Sequence, residues 1–227
     1  MSEQQVLHHF TLFQWTPRYW GLSPQERQGL RHAWWEGLQK VADRVYTYQV
    51  FPGRADADGL IWCAQPASDV CTASNFFQRF AKAMAPVREV STVILALWGF
   101  TRPSQYASGR SPQEIDPFTT PRKPYLVIYP FSKTTEWYLM SKDARQGMMN
   151  EHIRLGRQFP QVLQLLVYST GLQDQEFVVA YETDDLTYFS ELVTVLRSTE
   201  ARRYTLRDIP IITACYRPGG EALDIVG

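Results

Sequence analysis

Residues 125–169 read YLVIYPFSKTTEWYLMSKDARQGMMNEHIRLGRQFPQVLQLLVYS, and they decide the fold. Tyr125–Phe131 is β-branched and aromatic and predicts a strand. Ser141–Phe159 predicts a helix, because Met148, His152, Leu155 and Phe159 recur at spacings of four, three and four. Val162–Ser169 returns to strand composition. Downstream, Gly171–Gln175 reads as a turn, Glu176–Glu182 as a strand, Leu186–Arg203 as a helix and Ile209–Tyr216 as a strand. The order is β-α-β-β-α-β, the split βαβ unit of ferredoxin-like folds.

The first half follows the same order. Val6–Trp15 predicts a strand. Ser23-Pro-Gln-Glu26 is a capping box with proline at the first helical position, opening a helix to about Ala42 with Leu30, Trp34, Leu38 and Val41 on one stripe. Arg44–Phe51 and Leu60–Gln65 predict strands. Ala73–Ala85 predicts a helix with Phe76, Phe77 and Phe80 on one face, and Val90–Trp98 a strand. Between the halves, Thr101–Lys123 holds Pro103, Pro112, Pro117 and Pro121 and reads as a connecting loop. The expected domains are therefore 1–100, a loop 101–123, and 124–227. The halves share wording: Ser23-Pro-Gln-Glu-Arg-Gln-Gly-Leu against Ser141-Lys-Asp-Ala-Arg-Gln-Gly-Met. The same offset from each serine reaches Trp34 in one half and His152 in the other. The expected class is α+β, two ferredoxin-like βαββαβ repeats forming a dimeric α+β barrel within one chain, because each sheet must cover the face its own helices leave bare.

Composition narrows the function. The 227 residues are 44% hydrophobic and 20% charged, with 23 basic and 23 acidic side chains. A balanced charge argues against broad binding to nucleic acid or anionic membranes. No run of eighteen apolar residues predicts a membrane span, and no leader pattern opens the chain, so the expected location is cytoplasmic. Cys63, Cys71 and Cys215 are odd in number and lack Cys-x-x-Cys spacing, which predicts small buried thiols rather than disulfides or zinc. Glycine-rich phosphate loops and nucleophile-elbow motifs are absent from the sequence.

His152 is the candidate chemical centre. On pattern alone it is either a core histidine or a ligand to a metal or haem iron. His8 and His9 lie on the first strand and His32 lies off the first helix stripe, so a multi-histidine metal site has little support. A single imidazole suffices to hold a haem.

Four ordered motifs, YPFSKTTEWYLMS, ARQGMMNEHIRLGRQFP, YSTGLQDQEFVVAYETDDL and STEARRYTLRDIPI, resemble the chlorite dismutase family of haem proteins, which includes coproheme decarboxylases. The resemblance implies paired ferredoxin-like domains, ring-like homopentamers, and haem b or coproheme as cofactor. It implies His152 as the iron ligand and Glu200 as the acceptor of its other N–H. Lys133 would pair with a propionate, while Trp137, Tyr138 and Phe131 would line the tetrapyrrole. Tyr129, in Tyr129-Pro-Phe-Ser-Lys133, matches the radical tyrosine of coproheme decarboxylases. Chlorite dismutases carry an arginine over the distal face of iron. The corresponding position here is Leu163, Gln164 or Leu165. Gln164 is then the one polar distal candidate, which argues against efficient chlorite conversion. The leading expectation is a haem b oxidoreductase with weak peroxidase-type or gas- or haem-handling activity, taking a small oxidant or gas ligand. The alternatives are a coproheme decarboxylase and a haem-free assembly protein.

Overall fold

The computed structural model describes residues 5–107, 109, 111–119 and 121–227. In chain order the elements are β1 (Val6–Trp15), α1 (Pro17–Trp20), α2 (Pro24–Leu38), β2 (Arg44–Gln49), β3 (Gly59–Pro66), α3 (Thr72–Met84), β4 (Ser91–Phe100), β5 (Tyr125–Lys133), α4 (Thr135–Leu139), α5 (Lys142–Gly156), β6 (Leu163–Tyr168), β7 (Phe177–Thr183), α6 (Leu186–Arg197), β8 (Thr205–Arg207), β9 (Ile212–Arg217) and α7 (Glu221–Ile225). They group into two compact units, Met1–Thr101 with Ile212–Gly227, and Arg102–Ile211.

The first unit is an antiparallel sheet in the order β4-β1-β3-β2-β9. Its first four strands carry the ferredoxin-like arrangement. The Ser23 side chain accepts the Glu26 N–H while the Glu26 carboxylate accepts the Ser23 N–H, so the capping box read from sequence forms and starts α2. Trp34 and Leu38 are fully buried, with Trp34 edge-on to Phe13 and Trp15 at 4.9 and 5.4 Å. Phe76 and Phe80 join that core from α3, while Phe77 stays partly exposed.

Residues 212–227 depart from the expected 124–227 half. Strand β9 pairs with β2 from Thr47↔Arg217 to Gln49↔Cys215, and the Thr47 hydroxyl donates to the Gly219 carbonyl at 2.7 Å. Leu223 of α7 is buried in the first unit's core. Paired backbone and buried apolar surface tie this segment to the first unit.

The second unit is the antiparallel sheet β6-β7-β5-β8. Gly171, with φ +75°, makes the turn that leads from β6 toward β7. Two elements differ from expectation. The segment after β5 forms the short helix α4, which carries Trp137 and Tyr138. The helix expected over Leu186–Arg203 stops at Arg197. There the Ser198 and Thr199 hydroxyls donate back to the Val195 and Leu196 carbonyls, each at 2.7 Å, and Thr199 turns extended. A separate 3₁₀ turn, Glu200–Tyr204, follows.

The cysteines are free thiols. Cys63 is buried and Cys215 half-buried, but Cys71 is exposed just before α3, contrary to the expectation that all three are inside. Among the described residues no helix is long and apolar enough to cross a membrane.

Candidate functional site

Every residue singled out from the sequence falls in the second unit. Strand period places Tyr129, Phe131 and Lys133 on one face of β5. The register carries that face across the sheet, through Val127↔Tyr181↔Gln164, Tyr129↔Val179↔Leu166 and Phe131↔Phe177↔Tyr168. Leu192, Phe189 and Leu196 of α6 pack on it. It is the helix-facing side.

That register separates the three distal alternatives. Gln164 lies on the helix-facing side with Tyr181 and is exposed. Leu163 and Leu165 lie on the opposite face, where Leu165 is buried. The Gln164 backbone is held from the edge: its N–H donates to the Gln113 carbonyl at 2.7 Å, and its carbonyl accepts from Ile115 at 2.9 Å.

His152 rides on α5, which begins where the Ser141 hydroxyl accepts the Ala144 N–H at 3.2 Å. No residue of this helix is fully buried. Its apolar stripe, Met148, Met149, His152 and Leu155, is half-buried. His152 Nδ1 is buried without a hydrogen-bond partner. Burial, then the nearby Lys133 ammonium, pushes the imidazole pKa down to about 4, with Glu151 opposing. The ring is therefore neutral at neutral pH, the protonation state that ligates a metal.

Lys133 is half-buried across from that helix. Its Nζ donates to the Ala201 carbonyl at 3.2 Å and lies 4.5 Å from the Trp137 ring centroid. Burial first, then Arg202, lowers its pKa to about 8, with Glu176 opposing. Among the described residues no carboxylate lies within ion-pair distance of the ammonium. Glu176 accepts the Lys133 backbone N–H at 2.7 Å, and burial, with the Glu176 carboxylate adding to it, raises the Tyr138 pKa. Trp137 is buried between Tyr106 and Tyr204, at centroid distances of 6.3 and 6.0 Å. Tyr138 is largely exposed. Phe131 stacks on Phe177 at 4.8 Å.

Tyr129 stacks on Tyr181 with ring centroids 6.1 Å apart. Burial raises the Tyr129 pKa.

Glu200 does not meet His152 as expected. Its carboxylate is exposed and accepts from Arg203 at 3.2 Å, and only its backbone N–H approaches α5, donating to Glu151 at 3.2 Å. The cause is the break at Ser198–Thr199, which puts Glu200 at the start of a 3₁₀ turn rather than at the end of a long helix. Glu176 and Tyr181 were missed in the sequence. Glu176 gave no signal, but strand alternation through Phe177–Thr183 would have set Tyr181 on the Tyr129 face.

A cleft of about 590 Å³ lies against another side of α5, lined by Tyr106, Ala107, Asn150, Ile153, Arg154 and Arg157. It includes none of His152, Lys133 or Tyr129. Among the described residues no group of three or more His, Cys, Asp and Glu side chains is placed to hold a metal ion.

The family model described as chlorite dismutase matches residues 26–217, most of the chain. The chain belongs to the chlorite dismutase family. Two similar family members are coproheme decarboxylases. That of Mycolicibacterium smegmatis is 30% identical over 168 residues, covering 73% of this chain and 70% of the relative. That of Staphylococcus saprophyticus is 29% identical over 159 residues, covering 63% and 62%. Among solved structures, a variant of the chlorite dismutase from Candidatus Nitrospira defluvii superposes with a TM-score of 0.87 at 22% identity, over 99% of this chain and 96% of that one. The same enzyme in complex with imidazole gives 0.86 at 21%, over the same shares. These structures share the chlorite dismutase fold, α+β with ferredoxin-like repeats.

Proposed function

We propose that this chain binds a haem-type iron tetrapyrrole and removes propionate carboxyl groups from it with peroxide, as a coproheme decarboxylase. One observation carries the reading: a half-buried ammonium without a carboxylate partner, Lys133, sits near a neutral imidazole with an unpartnered buried nitrogen, His152. The two relatives named as coproheme decarboxylases support it.

The residues fit such a group. The half-buried Met148–Leu155 stripe and the exposed side of β6 offer apolar surface to a flat ring. His152 would hold the iron, and Lys133 would pair with a propionate. With peroxide, a bound iron group would supply the oxidising power. Tyr129, on the Lys133 face two alternate positions away, would act on the anchored propionate. Trp137 holds the Lys133 ammonium from behind through its ring face. Gln164, the polar side chain of β6 on the helix-facing side, can donate a hydrogen bond to a small ligand but carries no charge. β6 has no guanidinium to hold an oxychlorine anion, so chlorite conversion is not part of the proposal.

Haem b is the product of losing two propionate carboxyls from coproheme, so a haem b-binding protein is the nearest second reading. Mixing the protein with iron coproporphyrin and hydrogen peroxide and following mass separates them. The expected result is stepwise loss of two carboxyl groups as carbon dioxide. An unchanged mass with an intact haem-type absorption band would leave only the binding function, with a peroxidase-type or gas-handling role. Absence of any band after reconstitution would favour an assembly protein without haem.

A further inference from the structure

We infer that Gln113, in the stretch that precedes β5, is a positioning residue for the proposed site, its side-chain amide tying the end of the His152 helix to the strand that carries Gln164. The inference rests on the proposed tetrapyrrole reading and adds a residue to it. Ser111-Pro112-Gln113-Glu114 forms a turn, with the Glu114 N–H donating to the Ser111 carbonyl at 3.0 Å and the Gln113 N–H to the Ser111 hydroxyl at 3.2 Å. Proline stands at the second turn position, which its fixed φ suits. The chain then meets β6 in one parallel bridge, Glu114↔Gln164. There the Gln164 N–H donates to the Gln113 carbonyl, the Ile115 N–H donates to the Gln164 carbonyl, and Ile115 is buried.

The side chain of the same residue makes a second set of bonds. Gln113 is buried, and its Nε2 donates to the carbonyls of Gly156, Phe159 and Val162, at 3.3, 2.9 and 3.2 Å. Carbonyl oxygens around one end of an amide admit only its nitrogen, so the amide orientation is set by its surroundings. Gly156 ends α5, one helical turn beyond His152, and a helix leaves its last carbonyls without helical partners. Phe159 and Val162 belong to the connection from α5 into β6, and that connection contains Pro160, which brings no N–H of its own. One residue therefore holds the helix end by its side chain and Gln164 by its backbone. A flat ring seated between His152 and the helix-facing side of β6 needs that spacing fixed, and Gln113 fixes it without touching the ring.

The test replaces the amide by an apolar chain of similar length, Gln113→Met. In the tetrapyrrole-free protein, amide exchange at Val162 and Gln164 should rise together by about fivefold, the worth of one neutral hydrogen bond, while Tyr181 on β7 keeps its wild-type protection. In the wild type, the Gln113 side-chain protons should themselves exchange slowly. Faster exchange at Val162 with Gln164 unchanged overturns the inference, since the two sets of bonds would then be independent. Wild-type side-chain protons that exchange as fast as those of an exposed glutamine overturn it without any variant. With ferrous iron coproporphyrin and carbon monoxide, the C–O stretch should move in Gln113→Met toward its value in Gln164→Leu, because Gln164 would no longer be held beside the bound gas. A stretch that stays at the wild-type value while both amides loosen removes the positioning role. If the wild type forms no complex with iron coproporphyrin, the tetrapyrrole reading is what fails and the positioning role goes with it, while the exchange result still shows whether the tie itself exists.

Discussion

Burial and the nearby Lys133 ammonium hold His152 neutral, while burial and Arg202 lower the Lys133 pKa, and this gives two measurable consequences. Replacing His152 by alanine should abolish the absorption band of the reconstituted protein, read by titration with iron coproporphyrin. A band of unchanged position and intensity would remove His152 from the ligand role. Lys133, with its pKa lowered to about 8, carries its charge at pH 7 and loses it as pH rises toward 9. Affinity for a carboxylated tetrapyrrole should therefore weaken by roughly tenfold over that interval, and the dependence should vanish in Lys133→Met. A second histidine tests the sign of a different titration. His9 is buried against Phe76 and Phe80, at 5.1 and 4.8 Å, and burial pushes its pKa down to about 4. The unfolded chain, with an ordinary value near 6.5, binds its proton first as pH falls. The stability His9 contributes is thus full above pH 6.5 and is lost between there and pH 4, roughly 3 kcal/mol in all. In urea melts the stability of the wild type relative to His9→Leu should fall across that window, and a pH-independent difference would refute the reading.

At the level of elements, α2 and α5 start alike and end in different environments. Both open on a serine that accepts an N–H three residues on. Only Ser23 has the reciprocal glutamate, because Glu26 is replaced by Ala144 at the matching position. α2 also buries Trp34 and Leu38, whereas α5 has no fully buried residue. α5 therefore depends more on its cap. Ser141→Ala should cost about 1 kcal/mol and should raise amide exchange through Ala144–Gly147 more than Ser23→Ala does through Glu26–Gly29. Equal exchange in the two variants would refute this. Helix starts, strand order and the doubled βαββαβ pattern were legible because capping, alternation and the 3.6 period are local. The break after Arg197 was not legible, since Ser198 and Thr199 have ordinary helix-end composition and their back-bonding is visible only in three dimensions. That break moved Glu200 away from His152. Alternation parts Gln164 from Leu163 and Leu165, but which face meets the helices is set by cross-strand register, which a single strand's sequence does not contain.

For the molecule as a whole, the two units treat one duplicated position in opposite ways. Trp34 is fully buried among Phe13, Trp15 and Leu38, so Trp34→Ala should cost about 3–5 kcal/mol by cavity formation, measured as a loss in chemical denaturation. The equivalent position in the second unit is half-exposed and chemically active in the reading above. The second unit has its own anchor in Arg122 and Glu182, 3.3 Å apart and both nearly inaccessible. Glu182→Leu alone should destabilise by about 3–5 kcal/mol through a stranded charge, and Arg122→Met with Glu182→Leu should recover most of it.

The first unit is assembled from two separate stretches, 1–101 and 212–227, while the second is continuous over 102–211. During translation, β5 through β8 and their helices emerge before β9 does. The ribosome thus releases a second unit with all of its own strands while the first still lacks its edge strand and Leu223. A released fragment ending just beyond Ile211 should resist protease in its later half and remain cleavable in its earlier one.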